Sequence, residues 1–498
     1  MRGYAFCRYA MRLLIVFFAL QYGWLLTAQN HDFHWYLGYQ HELINSITGS
    51  LTIDFNFTPP HVFPEKKEID FTAYAAVCSD SSGQQVLCST NGISIRNPLQ
   101  HLMENGDTIN PGLLWESGHD AGYGSESRLF FFPAPGLPNH YFLVHLAIAL
   151  DVNVGYSRQP LYYTLIDMSA NGGLGRVDQK NQILAAGTAE NLDLIDPALV
   201  KHGNGRDWWL VTGRYNSNEF LVFLFSPAGI SGPFVQHIGP PYPQTEGRGN
   251  TLFTPDGATY VRGDGRNGPR VYDFDRCTGQ LSNLRIVPYS KPLAFQYVIS
   301  PNSRYLYANS IEFVVQFDLQ AEDIGASMDT VAVYDGFTAP YPPWETAFDY
   351  AGLQPDGKIY YATTSSTTGL HVINRPNLPG LACDVQQHGV ILPKFNYLTV
   401  PHNPNYRLGE LDTAPCDTLN AQQPGDGFVS NPYHPGAFPP DNTYRLCTPV
   451  PDKTQSPDIY FRKAWVPEPP IPPAFRYGPG GVIEEDKQEW LQLYQNKY

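Results

Sequence analysis

The sequence predicts an all-β fold, a β-propeller built of four-stranded antiparallel blades. Three observations predict it: a composition typical of short strands and turns, a hairpin that recurs along the chain, and strands that are apolar at consecutive positions. The 498 residues include 44 Gly and 44 Pro, with 14% aromatic and only 16% charged residues. Such a composition favours many short strands separated by turns.

The recurring unit is a hairpin whose turn reads Pro-Asp-Gly or Pro-Asn-Ser. It occurs as LFTPDGATYVRG (252–263), VISPNSRYLYAN (298–309) and LQPDGKIYYATT (353–364). Proline presets φ at the second turn position, and glycine accepts the left-handed conformation that closes the hairpin. A third strand follows each copy, and looser copies begin near Ala75, Ser127 and Ala198. The spacing, roughly 45 to 60 residues, is typical of propeller blades.

Several predicted strands are apolar without alternation, among them DWWLV (207–211) and EFLVFLF (219–225). Both faces of such a strand must be covered, and no amphipathic helical stripe is present between residues 30 and 480 to cover them. Other sheets must therefore do so. A pair of β-sandwiches is the alternative, but the repeated order of strands favours the propeller.

Six repeat units, with extra strands at WYLG (35–38) and SLTIDFNF (50–57), predict seven blades, the last closed by strands from both termini. Six blades is the alternative. Closure would remove the exposed sheet edges of an open ring.

Residues 1–28 are predicted to be a signal peptide. Arginines precede the apolar run Leu13–Leu26, which is shorter than the ~20 residues of a membrane span. An uncleaved anchor is the alternative. We expect export to the periplasm, cell surface or medium, with no membrane span after cleavage. The mature chain is predicted to form a propeller over residues 30–419, followed by a Pro-rich tail over residues 420–498. The tail includes one candidate apolar helical face, formed by Ile483, Trp490, Leu491 and Tyr494.

Cysteines outside the leader are Cys78, Cys88, Cys277, Cys383, Cys416 and Cys447. An even number in an exported protein permits disulfides. A three-residue turn would place Cys78 opposite Val86, leaving Cys78 and Cys88 diagonal and too far apart for an unstrained bond. That bond is therefore not favoured, and the other pairings stay open.

Catalytic and metal-binding motifs are missing from the sequence, which contains no HExxH, GxSxG, Walker or CxxC pattern. His140 and His145 should face opposite sides of a strand, so joint metal ligation is not expected. The RGD-containing segment VRGDGRNG (261–268) is predicted to be a glycine-rich loop, and Trp208 and Trp209 to be core residues. No cofactor or metal is predicted, and the formal charge of −15 argues against nucleic acid as a partner.

A binding surface is predicted on the face opposite the tight hairpin turns, where the longer loops lie. Aromatic and arginine side chains are enriched where proteins bind others. The candidate residues are Arg214, Tyr215, Tyr242, Arg266, Tyr341 and Trp344. The alternative is that the tyrosines fill the wedges between blades.

Several long motifs are similar to those of a known family: WYLG, STNGISIRN, KHGNGRDWWLV, VYDFDRCTGQLS, LQPDGKIYYA and NYRLGELDTAPCDTL. Over about residues 35–419 the chain resembles an exported β-propeller family of the Bacteroidota, whose members are called gliding-motility-associated or type IX secretion cargo. The resemblance implies a propeller and carries over no catalytic residues. No sorting domain of that system is recognisable after residue 419.

The sequence thus favours an exported, non-enzymatic propeller that binds or scaffolds protein or glycan at the bacterial envelope or outside the cell. The alternative is a polysaccharide hydrolase or lyase, which would place two carboxylates about 5 to 9 Å apart in the central pocket. A structural part of the motility or secretion machinery is a third possibility. The ligand and the oligomeric state stay open.

Overall fold

In the computed structural model, small antiparallel sheets are arranged as the seven blades of a propeller. The structure describes residues 29–39, 47–72, 75–112, 115–116, 122, 128–151, 155–187, 193–243, 249–288, 296–339, 344–411, 416, 477–478 and 481–482. The predicted leader, Tyr341 and the candidate helical face of the tail lie outside these residues. None of the helices described is long and apolar enough to cross a membrane.

The first three blades contain strands β1 to β10. Blade 1 is β1 (His34–Tyr39), β2 (Gly49–Asp54) and β3 (His61–Pro64); blade 2 is β4 (Ala76–Ser79), β5 (Val86–Thr90) and β6 (Ile95–Arg96). Blade 3 is β7 (Leu129–Pro133), β8 (His140–Asp151), β9 (Gly155–Asp167) and β10 (Arg176–Ala185). Blade 2 is extended by an antiparallel bridge between Arg96 and Leu102.

Blades 4 to 7 are four-stranded sheets whose strands pair in chain order. Blade 4 is β11 (Ala198–Lys201), β12 (Trp208–Gly213), β13 (Glu219–Ser226) and β14 (Gly229–His237); blade 5 is β15 (Thr251–Phe253), β16 (Thr259–Arg262), β17 (Arg270–Asp275) and β18 (Gln280–Ile286). Blade 6 is β19 (Gln296–Ile299), β20 (Tyr305–Asn309), β21 (Phe313–Asp318) and β22 (Asp329–Val333). Blade 7 is β25 (Phe348–Leu353), β26 (Ile359–Thr363), β27 (Thr367–Ile373) and β28 (Val385–Asn396).

Small elements complete the described structure. The hairpin β23 (Thr338–Ala339) and β24 (Trp344–Glu345) lies between blades 6 and 7, and β29 (Tyr477–Gly478) pairs with β30 (Gly481–Val482). Two single-turn 3₁₀ helices span Ala170–Gly173 and Gly380–Cys383. The predicted all-β, seven-bladed fold is confirmed, and the six-bladed alternative is wrong.

The predicted hairpin turn has the same geometry in blades 5, 6 and 7. The amides of Gly257, Ser303 and Gly357 each donate to the carbonyl three residues earlier, at 2.7 to 2.9 Å. Both glycines and Ser303 have positive φ, between 61° and 78°. These turns join the first and second strands of each blade and define what we call the turn face; the opposite end is the loop face.

Burial follows the position of each strand in its blade. All residues of β12, β20 and β27 are buried, whereas β14, the last strand of blade 4, is mostly exposed. Between blades 3 and 4 the ring of Phe132 lies 5.5 Å from Trp208 and 5.2 Å from Phe225. The core is therefore distributed between adjacent blades, which is why the inner strands are apolar on both faces.

The ring closes where the chain after β28 meets blade 1. The amide of Phe395 donates to Ile47 O at 2.9 Å, and the amide of Leu398 donates to Thr72 O at 3.1 Å. Both ends of the propeller thus contribute to the closure. On the C-terminal side the contribution is the irregular stretch 397–411, which contains Pro401 and Pro404; proline has no N–H to donate to a strand ladder.

The register of Cys78 and Cys88 differs from the one predicted from the sequence. Cys78 lies directly opposite Cys88, because a β-bulge follows Cys78 and brings Ser79 opposite Val86. The predicted diagonal register was therefore wrong, although both thiols are free and buried. A disulfide joins Cys277 to Cys416, with their Cα atoms 5.5 Å apart.

Candidate functional site

Residues 397–411 follow blade 7, and we call them the axial segment. Residues 402–405, 407 and 408 line one cavity together with the first strands of blades 3 to 7. The hydroxyl of Tyr406 donates to Phe131 O in blade 3 at 2.6 Å. The side-chain amide of Asn405 donates to Pro255 O in the turn of blade 5 at 2.8 Å. The segment therefore binds to several blades at once and occupies space that a ligand would need.

The end of the axial segment is fastened at the turn face. The amide of Leu411 donates to Gly203 O at 2.8 Å, and Arg276 donates to Gly409 O at 2.6 Å. Cys416, a few residues on, forms the disulfide with Cys277. A Cβ atom at Gly203 would collide with both sulfurs, so glycine is required there. A covalent bond and hydrogen bonds together hold the segment in the channel.

A cavity of about 100 Å³ remains in the channel. It is bounded by the inner strands of blades 3 to 7 and by the axial segment. Its described lining residues with an acidic or basic side chain are Asp32, Arg128, His402 and Arg407. Asp32 and Arg407 form a two-point ion pair with both N–O distances at 2.7 Å. Asp32 is the single carboxylate residue in this described lining.

Arg128 and His402 are the two other basic residues of the described cavity wall. Burial lowers the pKa of Arg128 to about 10, although the charge of Asp196 acts in the opposite direction. Burial, and secondarily the positive charge of Arg128, lowers the pKa of His402 well below its ordinary value. His402 is therefore neutral at neutral pH, while Arg128 keeps its charge.

On the loop face, Tyr242 is placed inside the protein. Its ring lies between the guanidinium groups of Arg262 and Arg270, at 3.6 and 3.7 Å from their central carbons. Only 3% of Tyr242 is exposed, and burial raises its pKa well above the ordinary value. This ring fills a wedge between loops, as the alternative interpretation of the tyrosines expected, and it is not available to a ligand.

The same stack connects two of the predicted loops. Arg262 donates to Arg214 O at 3.0 Å and to Ser217 O at 3.2 Å, and Arg270 donates to Pro240 O at 2.6 Å. The predicted residues Arg214 and Tyr242 are thus brought together through Arg262. Tyr215, next to Arg214, is partly exposed. Arg262 and Arg270 are not among the predicted binding residues, although each stands at the border of the glycine-rich loop.

The RGD sequence of that loop is not displayed at the surface. Arg262 and Asp264 are both fully buried. The Asp264 carboxylate accepts hydrogen bonds from the amides of Arg266 and Asn267, at 2.9 and 3.1 Å. The segment is a tight loop, as predicted, whose exposed arginine is Arg266.

Trp344 lies in a different loop region, between blades 6 and 7. It belongs to β24, is partly exposed, and its ring lies 6.0 Å from that of Phe395. The structure therefore does not place the predicted residues in one described cluster. Arg214 is connected to the stack around Tyr242 through Arg262, and Arg266 lies in the loop between Arg262 and Arg270. Trp344 belongs to the hairpin between blades 6 and 7.

The two histidines of β8 have different surroundings. His145 is buried and bonded to Asn110 Oδ1 at 2.6 Å and to Thr164 Oγ1 at 3.0 Å. His140 lies near Asp167 and Asp178, with ligand-type atoms within 4.8 Å of one another. The Arg176 guanidinium already contacts Asp178 at 2.8 Å, so this exposed group has its own counter-charge.

No protein-family profile matches the chain, and no functionally curated protein is similar to it. Among solved structures, it is similar to a candidate 6-phosphogluconolactonase from Bacteroides fragilis, with 15% identity over 74% of this chain and 98% of that one, at a TM-score of 0.45. A second candidate 6-phosphogluconolactonase, from Bacteroides uniformis, has 13% identity over 73% and 98%, at 0.43. The periplasmic gluconolactonase of Pseudomonas aeruginosa has 14% identity over 64% and 95%, at 0.33. Similarity at this level assigns neither a reaction nor a ligand.

Proposed function

We propose that this protein is an exported propeller that binds a protein or glycan on its loop face and carries out no chemistry in its central channel. The observation that carries the proposal is the axial segment, which leaves a cavity of about 100 Å³. Pockets that enclose small organic ligands usually measure roughly 300 to 1,000 Å³. A sugar residue of a polysaccharide therefore has no room beside residues 402–408.

The hydrolase or lyase alternative requires two carboxylates at opposite sides of the scissile bond. In the described lining of the cavity, Asp32 has no second acid to work with, and Arg407 occupies both of its oxygens. A carboxylate held in this way is a poor proton donor, because the guanidinium favours the ionised form. This arrangement supports a structural role for Asp32, and not a catalytic one.

The proposed ligand surface consists of exposed or partly exposed side chains on a stiff support. Arg266, Tyr215 and Trp344 are accessible, while Arg262 and Arg270 clamp Tyr242 beneath the neighbouring loops. Loops that are ordered before binding lose less conformational entropy on complex formation. We therefore assign Arg214, Tyr215, Arg266, Tyr341 and Trp344 to ligand contact and Tyr242 to support.

Export is part of the proposal. A disulfide such as Cys277–Cys416 persists in oxidising compartments and is rare in the cytosol. Together with the predicted leader and the resemblance to exported Bacteroidota propellers, this supports the cell envelope or the medium as the site of action. A link to gliding motility or type IX secretion is proposed on that resemblance alone.

The experiment that tests the binding proposal uses the mature chain on a glycan array and against isolated envelope proteins. We expect Trp344→Ala and Arg266→Ala to reduce specific binding about tenfold or more, because Trp and Arg are enriched among the few interface residues that dominate the binding energy. The controls are Phe234→Ala, an exposed aromatic residue on the outer strand β14, and Arg304→Ala, which follows the turn of blade 6.

Two results would contradict the proposal. Equal binding by wild type and both loop-face variants would remove the loop face as the site. The hydrolase or lyase alternative would be favoured if the wild type and both variants released reducing ends or unsaturated products from an extracellular polysaccharide.

A further inference from the structure

We propose that the central cavity binds one small oxyanion, a phosphate or a short carboxylate, through the Arg128 guanidinium. This site is separate from the proposed loop-face surface. None of the residues proposed to contact the loop-face ligand is among the described lining residues of the cavity.

The first argument is the charge of the cavity wall. Asp32 and Arg407 neutralise each other through two hydrogen bonds of 2.7 Å. His402 is neutral at neutral pH because burial lowers its pKa. Among the described lining residues, Arg128 is then the one charge without a partner in the wall. The described lining of the cavity consequently has an excess of one positive charge, and the nearby carboxylate of Asp196 lies outside that lining.

The second argument is the hydrogen bonding of Arg128. Its guanidinium carries five N–H donors, and no described residue accepts a hydrogen bond from it. The negative charge of Asp196 raises the pKa of Arg128, against the larger effect of burial. Arg128 is partly exposed and lines the cavity, and a cation that is held away from bulk water with free donors favours an anion beside it.

The third argument is the character of the neighbouring polar groups. His402 and Asn403 also line the cavity. A neutral imidazole supplies one N–H donor, and the asparagine amide supplies two. With Arg128 they form a wall rich in donors, which matches the acceptor oxygens of a phosphate or carboxylate.

The size of the cavity limits the ligand to a small one. About 100 Å³ is several times the ~10 to 15 Å³ that one water requires by the same kind of measure. A tetrahedral oxyanion or a three-carbon carboxylate fits this space, whereas a sugar ring with its substituents does not. Ordered water is the alternative occupant, and the experiment below separates the two.

The test is calorimetric titration of the mature chain with inorganic phosphate and, separately, with malonate, in chloride solution at constant ionic strength. We expect saturable binding of at least one anion at one site per chain, weakened about tenfold or more by Arg128→Gln, because charge-assisted hydrogen bonds of an arginine are lost. Comparison of the two titrations shows whether the site prefers phosphate or carboxylate. Arg304→Gln, the same change in an arginine that pairs with Asp318, is the control and should bind as wild type does.

The absence of saturable heat with both anions overturns the proposal and leaves water as the occupant. Equal affinities of wild type and Arg128→Gln also overturn it. If Arg128→Gln does not fold, crystals of the wild type soaked in selenate test the site instead. An anomalous selenium peak within hydrogen-bond distance of Arg128 supports the site. Selenium peaks confined to the protein surface contradict it. Loop-face binding should be unchanged in Arg128→Gln, so failure of one proposal does not imply failure of the other.

Discussion

The carboxylate of Asp32 and the guanidinium of Arg407 form two hydrogen bonds of 2.7 Å although the residues are 375 positions apart in the chain. Asp32 precedes the first strand of blade 1, and Arg407 lies in the axial segment that follows blade 7. Both side chains are largely buried, at 5% and 10% exposure. This pair therefore joins the beginning and the end of the propeller inside the channel.

We expect Asp32→Asn to lower the free energy of unfolding by about 3 to 5 kcal/mol, because it leaves a buried guanidinium without its counter-charge. Urea unfolding of the mature chain measures the effect. Asp273→Asn, which removes the carboxylate of the more exposed pair with Arg285, is the matched control and should cost about 1 kcal/mol or less. Equal costs for the two substitutions would show that the axial pair does not stabilise the closure.

Removal of the disulfide should loosen the same segment. Cys277 and Cys416 are separated by 139 residues, so their bond restricts a long loop of the unfolded chain. We expect Cys416→Ser to lower the free energy of unfolding by about 2 to 5 kcal/mol and to increase hydrogen exchange at the amide of Leu411. Cys383→Ser, at a free cysteine, controls for the substitution itself. Unchanged exchange in Cys416→Ser would mean that the hydrogen bonds alone hold the segment.

The stack of Arg262, Tyr242 and Arg270 predicts a clear difference between two substitutions. Tyr242→Ala removes a buried ring and two cation–π contacts, so we expect a loss of about 3 to 5 kcal/mol and weaker loop-face binding. Tyr242→Phe keeps a ring between the guanidinium groups and should cost less than about 1.5 kcal/mol. Thermal unfolding and the glycan array measure the two effects. Similar losses for both variants would assign the stabilisation to the hydroxyl group.

The features that the sequence predicted well are those encoded locally. The Pro-Asp-Gly turns at Gly257 and Gly357 need only the conformational preferences of adjacent residues, and the fully buried strand β12 begins with four consecutive apolar residues, 208–211. The register of Cys78 and Cys88 was wrong because one bulge after Cys78 shifts the pairing, and a bulge leaves no composition signal. A short loop with several polar residues permits more than one turn length.

The candidate site was harder to predict because it depends on contacts between distant segments. Tyr242 stands in a proline-rich stretch that is typical of an exposed loop, and its burial follows from Arg262 and Arg270 at the ends of β16 and β17. Nothing near Arg128 in the sequence indicates a cavity; its position there depends on the closure of the ring and on the axial segment. Long-range packing of this kind is not contained in local patterns.

Stability should fall in acid because several buried histidines must become charged. Burial lowers the pKa of His31 to about 4 and those of His145 and His371 to about 3. The folded protein then binds protons less readily than the unfolded chain, whose histidines titrate near 6.5. The contribution of these groups to stability is complete above pH 6.5 and is lost as the pH falls toward the folded pKa values.

We expect urea unfolding to show this loss between pH 6.5 and 4, with His145 accounting for on the order of 2 to 3 kcal/mol of it. His145→Gln retains groups that can bond to Asn110 and Thr164 but does not titrate, so it should flatten the pH dependence by that amount. The same substitution at His237, whose side chain is 60% exposed, controls for the removal of a histidine. A variant His145→Gln with the full wild-type pH dependence would show that His145 is not the group whose protonation opposes folding.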